Sequence, residues 1–324
     1  MRRVLSIPVK LQGPYRDYAF GGRALARWKR DLPPGRVAES WEVADRGPDQ
    51  SRVLGGPLAG QTLASLLIKG FPLGRLSLDP LGRFPWLVKL LDVTTQLPLH
   101  LHPDDATAAR LGLGEPGKHE TWVILEASPG AKAFVGLKPD ISIQAWRRTL
   151  ESLYGEREEV WALTWEEHLE TYPLAPGLVL DVPAGTPHAM RGEVVFYEVQ
   201  RNSDLSLLAD PWDLWGGLLP LETWQQTLDR FFLALDPFAR PSSISLPVLT
   251  PYYRLDWVRV DGTERRRFAS PTVWTCVEGE ITVKADEETV KVSRGETALV
   301  PAEADLVVSG HGMALWVGHR EETP

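Results

Sequence analysis

FPWLVKLLDVTTQLPLHLHPDDATAARLGLGEPGKHETW, from Phe84 to Trp122, carries an almost continuous apolar run (Phe84 to Asp92, with the single cation Lys89) and then two histidines one residue apart. A run of that kind reads as a strand buried on both faces. In the strand that follows, side chains alternate between faces, so His100 and His102 point the same way and can grip one ion. Pro103, Asp104 and Asp105 end that strand, and Glu120 arrives just before a second apolar run, Thr121 to Leu125. A fourth candidate, His188, lies in the turn PAGTPHAM that starts at Pro183. Three imidazoles and a carboxylate suit a borderline divalent ion, Zn2+ first and Mn2+, Fe2+, Co2+ or Ni2+ after it, with a position open for water or a substrate oxygen. The alternative for His100 and His102 is a pair of half-buried strand histidines that only pack.

Outward from this stretch the chain reads as strands separated by turns. Met1 to Lys10 reads as a strand, Leu11 to Phe20 as a loop, Glu39 to Val43 as a short strand and Leu58 to Ile68 as a helix. Strands are expected at Trp122 to Glu126 and near Ala131 to Gly136. Between Ile143 and Glu170 the spacing turns helical: Trp146, Leu150, Leu153 and Tyr154 recur at three and four residues, and Trp161 and Trp165 continue the stripe in a second helix. Aromatic stripes at this spacing face another element, so they read as core, in a small helical insertion near 140–170 of a β-rich domain. Leu178 to Val182 and Glu193 to Gln200 follow as strands and Leu221 to Leu235 as a helix or helix pair.

Pro237, Pro241, Pro247 and Pro251 block both helix and central strand, which marks 237–251 as a linker between a domain at 1–236 and another at 252–324. From Tyr252 to His319 short strands are separated by turn signals such as Asp261-Gly262, Glu278-Gly279 and Arg294-Gly295, the pattern of a small antiparallel jelly roll. Its histidines, His311 and His319, form no His-x-His pair, so no metal is expected there. The halves share a phrase: GLVLDVPA from Gly177 leads to His188, and GETALVPA from Gly295 leads to Glu303.

With 324 residues, 43% of them hydrophobic, the chain has ample material for sizeable cores. A net charge of -8 with both signs interspersed leaves no basic footprint for nucleic acid or an anionic membrane. The single cysteine, Cys276, excludes an intramolecular disulfide and a cysteine-based zinc site. No apolar run is long enough for a membrane span, and cytoplasmic residence is the default.

Six phrases, in order, resemble the type I phosphomannose isomerases, metal-dependent cupins that interconvert mannose 6-phosphate and fructose 6-phosphate: Ser40-Trp41-Glu42, Leu87 to Asp92, His102 to Asp105, Gly117 to Trp122, Pro183 to Ala189 and Glu198 to Asp204. The resemblance runs through roughly residues 1 to 215, and more loosely through the C-terminal roll. It implies a mainly β fold of two cupin-type jelly-roll β-barrels with a small helical insertion, and one zinc ion per chain held by His100, His102, Glu120 and His188. The family commonly has glutamine where this chain has His100. The resemblance further implies a sugar-phosphate substrate, Lys118 as the catalytic lysine beside the glutamate ligand, and Glu198 in the sugar pocket as proton acceptor or hydroxyl anchor. The family's arginine four residues after the Asn-Ser-Asp phrase is missing, and Leu208 stands in its place. An active isomerase would rebuild its anion site from Arg201, Lys118 or Arg191, with Lys89 as a further substrate-binding candidate. The other readings are a metal-holding cupin that binds a sugar without isomerising it, and an isomerase of a different sugar.

Overall fold

A computed structural model describes residues 6–241 and 245–324. Every residue of the strand Trp86–Val93 is buried, as an apolar run must be inside a sheet covered on both faces. It lies in a six-stranded antiparallel sheet in the order Val179–Val182, Glu120–Ala127, Val194–Arg201, Trp86–Val93, Glu39–Val43, Tyr15–Arg16. A five-stranded antiparallel sheet runs Leu169–Pro173, Lys132–Leu137, His188–Arg191, Gln96–Leu101, Leu207–Leu208. His188 is the cross-strand partner of His100 on one side, and Leu208 is its partner on the other.

Strand alternation then sorts the side chains. His100 faces the space between the sheets, while Leu99 and Leu101 join a core with Trp146, Trp161, Trp165 and Trp224. Those tryptophans sit on the helices Ile143–Ser152, Glu158–His168 and Leu221–Ala234. All four are buried, and truncating one such side chain costs about 3–5 kcal/mol. The aromatic stripe is therefore the outer support of the sheet that carries His100 and His188.

An eight-stranded sheet holds the C-terminal part, with the order Val248–Leu249, Arg254–Arg266, Leu306–Gly318, Thr272–Ala285, Thr297–Val300, Val9–Gln12, Arg52–Val53 and with Glu288–Ser293 paired to Thr272–Ala285. The strand expected over Met1 to Lys10 is thus Val9–Gln12, with residues 1–5 outside the described ones, and it pairs with Thr297–Val300. Residues 242–244 of the expected linker also lie outside the described residues. The helix expected from Leu58 begins only at Leu63: Gly55, Gly56 and Gly60 take positive φ, and Thr62 caps the first turn by accepting from the Ser65 N–H.

Asp261-Gly262 and Glu278-Gly279 are not chain reversals, because single strands, Arg254–Arg266 and Thr272–Ala285, run through them. A Cβ on Gly279, at φ +68°, would lie 2.2 Å from the His311 carbonyl oxygen, and the register slips between Cys276 and Glu278. Glycine here makes a bulge that bends a long strand. Among the described residues no helix is long and apolar enough to cross a membrane.

Candidate metal centre

The two sheets of the first roll bring His100, His102, His188 and Glu120 together. The histidine ligand nitrogens lie within 4.8 Å of one another, and the Nε2 atoms of His100 and His188 are 2.8 Å apart. Glu120 reaches across from the other sheet, with Oε2 3.1 Å from His102 Nε2 and Oε1 3.3 Å from His188 Nε2.

Backbone carbonyls decide which nitrogens face inward. Nδ1 of His100 bonds Pro98 O (2.8 Å), Nδ1 of His102 bonds Leu205 O (2.6 Å) and Nδ1 of His188 bonds Thr186 O (2.8 Å). A carbonyl only accepts, so each Nδ1 carries the proton and each Nε2 presents a lone pair to the centre. Burial, the main cause, lowers the pKa of His102 and His188 to about 3 and that of His100 well below its usual value, so all three rings are neutral. Burial would raise Glu120, but the Lys118 ammonium, with Nζ 2.7 Å away, holds its carboxyl well below the usual range. His102 Nε2 is buried without a hydrogen-bond partner, facing Glu120 Oε2 at 3.1 Å. Facing lone pairs beside a carboxylate repel unless a cation lies among them. Ligand atoms of a tetrahedral zinc at ~2.0–2.1 Å stand about 3.3 Å apart, close to the 3.1 and 3.3 Å between Glu120 and the His102 and His188 nitrogens. The residues present fit a divalent metal.

Beside this group lies a cavity of about 160 Å³. Lys89, Lys118, Glu120 and Glu198 form its polar wall, and Phe20, Leu91, Leu97, Leu208 and Leu214 its apolar one. Glu198 Oε1 is 3.7 Å from Lys118 Nζ and 3.6 Å from Lys89 Nζ. Burial first, and the Glu120 charge second, push the Glu198 carboxyl up to about 7, which suits a group that must both take and return a proton. Burial alone would lower Lys89, but Glu39, Glu198 and Asp204 raise it well above the usual lysine value.

Arg191 and Arg201 are not brought to this cavity. Arg191 bonds Glu166 at 2.6 Å and lies over the Phe134 ring. Arg201 bonds Asp105 at 2.8 Å and stacks on Tyr252, with 4.3 Å from guanidinium carbon to ring centre. Leu208 does line the cavity. Sequence reasoning missed Glu39 and Asp204, which lie 3.3 Å and 3.8 Å from Lys89 Nζ. A lysine inside an apolar run signals buried carboxylates nearby, but only strand pairing says which ones: Glu39 and Glu198 lie on the two strands that flank Trp86–Val93.

No family model matches the chain. The mannose-6-phosphate isomerase ManA of Bacillus subtilis is 32% identical over 198 residues, which cover 61% of this chain and 58% of that protein. The mannose-6-phosphate isomerase of Streptococcus mutans is 26% identical over 308 residues, 91% of this chain and 92% of that protein. The relatives above 30% identity are matched over only 58% and 59% of their length. The crystal structure of the mannose 6-phosphate isomerase from Bacillus subtilis superposes with a TM-score of 0.80 at 24% identity, covering 96% of this chain and 99% of that one. The chain therefore resembles the type I phosphomannose isomerases in sequence and has their mainly β, cupin-type fold.

Proposed function

We propose that this chain is a metal-dependent aldose–ketose isomerase that interconverts mannose 6-phosphate and fructose 6-phosphate. The observation that carries this reading is the meeting of three neutral imidazole lone pairs and Glu120 at the end of a cavity that also holds Lys118 and Glu198. Zinc, one ion per chain, held by His100, His102, Glu120 and His188, would supply a Lewis acid for the sugar's carbonyl and hydroxyl oxygens.

Within this reading Glu198 takes the C2 proton of the aldose and returns it to C1, while the hydroxyl proton on O2 passes to O1. Both steps balance, since one proton leaves carbon and one returns. Lys118 donates to the oxygen that gains negative charge between them. Lys89 fixes the Glu198 carboxylate from its far side. The Phe20, Leu91 and Leu97 side chains keep water from the carbanionic face.

A coupled assay tests this. The zinc-loaded chain should turn over mannose 6-phosphate, chelation should abolish turnover, and added zinc should restore it. Glu198→Gln should lower kcat/KM by roughly 10²–10⁴ with zinc content unchanged. Binding of mannose 6-phosphate without turnover by the zinc-loaded protein would remove the isomerase reading.

A further inference from the structure

Behind the metal group, on the outward face of the strand Glu120–Ala127, lies a chain of buried hydrogen bonds that the proposed reaction does not use. Glu120 points inward, so its neighbours His119 and Thr121 point the other way. Both bond the same oxygen: Asp181 Oδ1 is 2.8 Å from His119 Nε2 and accepts from Thr121 Oγ1 at 2.6 Å. Asp181 thus staples the residues on either side of Glu120.

The next link comes from the second roll. Tyr253 OH is 2.9 Å from Thr121 Oγ1 and donates to the Val199 carbonyl at 3.1 Å. Thr121 spends its only proton on Asp181, so the single Tyr253 proton is shared between Thr121 Oγ1 and the Val199 carbonyl. Val199 follows Glu198 and is the cross-strand partner of Thr121. One hydroxyl therefore touches the residue after Glu120 and the residue after Glu198. Thr121, Asp181 and Tyr253 are all buried, and a broken bond here would leave a polar group without water to replace its partner.

We propose that Tyr253 is a positioning residue: its hydroxyl, through Thr121 and Asp181, fixes the two strands that aim Glu120 and Glu198 at the metal cavity, giving the second roll a part in the reaction. The inference rests on the reading of Glu120 as a metal ligand and Glu198 as the proton carrier. Groups that orient metal ligands are worth ~10–100-fold in affinity or activity.

The test uses the full zinc-loaded chain and the variants Tyr253→Phe, Thr121→Val and Thr121→Ser. Zinc affinity is read by competition with a chromophoric chelator, and kcat and KM by the coupled assay. Tyr253→Phe and Thr121→Val should each weaken zinc binding and lower kcat by roughly tenfold, with KM changed less than about twofold. The double variant should be no worse than either single one, and Thr121→Ser, which keeps the hydroxyl, should behave as the parent. Lower melting temperatures with zinc affinity and kcat unchanged would reduce the network to a structural one and overturn the proposal. Absence of turnover in the parent protein would instead strike the proposed reaction, and the chelator competition would still judge the positioning.

Discussion

The two rolls share a phrase and differ in what they bury. Val179–Val182 and Thr297–Val300 each run into Pro-Ala, after which one chain segment reaches His188 and the other Glu303. His188 is fully buried among metal-type ligands, whereas Glu303 turns out through a positive φ of 62° and pairs with exposed Arg267. The contrast extends to whole cores. The first roll buries Lys89, Lys118, Glu120 and Glu198 along with His100, His102 and His188, while from Arg254 onward, among the described residues, the buried polar side chains are Ser270, Thr272, Thr275 and Thr297. Taking an ion out of water costs several kcal/mol even after relaxation. The same architecture tolerates that cost in one copy because its charges are paired around the candidate metal centre, and avoids it in the other with Val, Ile, Phe and Trp.

The two ends of the shared phrase should respond very differently to the same substitution. His188→Ala should abolish stoichiometric zinc binding and lower kcat/KM by at least about 10³, the several kcal/mol that a Lewis acid contributes. Glu303→Ala should change neither. Metal content after dialysis and the coupled assay decide it, and an active, metal-loaded His188→Ala protein would mean that the ligand set is wrong.

How much of this contrast is legible in the sequence depends on the range of the interactions. His100 and His102 on one strand face, Glu120 ahead of an apolar run and His188 in its turn could be read from local spacing, as could the absence of a His-x-His pair in the second roll. Lys89 could be recognised as unusual, but its partners Glu39 and Asp204 come from distant segments joined only by sheet pairing. Arg201 follows Gln200 at the end of a strand that carries Glu198, yet Glu198 faces the cavity and Arg201 turns to Asp105 and Tyr252. Turn signals misled where glycine served a bulge, at Gly279, and the N-terminal strand gave no local sign that it would pair with Thr297–Val300. Local patterns report faces and ends, while partners across sheets require the fold.

Ion pairs should differ between the rolls in the same sense. Lys89→Met leaves the buried Glu39 and Glu198 without the cation they share, which should destabilise the protein by about 3–5 kcal/mol. Arg267→Met in the second roll removes contacts to Glu303 and Asp305 from a side chain that is 54% exposed, and should leave stability almost unchanged because water already screens those pairs. Urea unfolding of the two variants measures the gap, and equal losses would deny that the first roll handles its charges differently.

Proton uptake away from the candidate metal centre also distinguishes the rolls. Burial pushes the Asp210 carboxyl up to about 7, although Oδ2 accepts from the Leu99 N–H at 2.9 Å. The second roll's buried Cys276 is pushed by burial to about 11, out of the ordinary working range. Between the ~3.9 of an unfolded aspartate and about 7, the folded state holds a proton that the unfolded state has released. This group's contribution is therefore complete below the unfolded value, declines as pH rises, and is gone above the folded one. Asp210→Asn keeps an oxygen for Leu99 and cannot ionise. Relative to the parent it should gain stability from pH 5 to pH 8, by on the order of 2–3 kcal/mol, with the gain levelling off above neutrality. Urea midpoints at several pH values measure this gain, and parallel curves for parent and variant would show that Asp210 is already ionised in the folded chain.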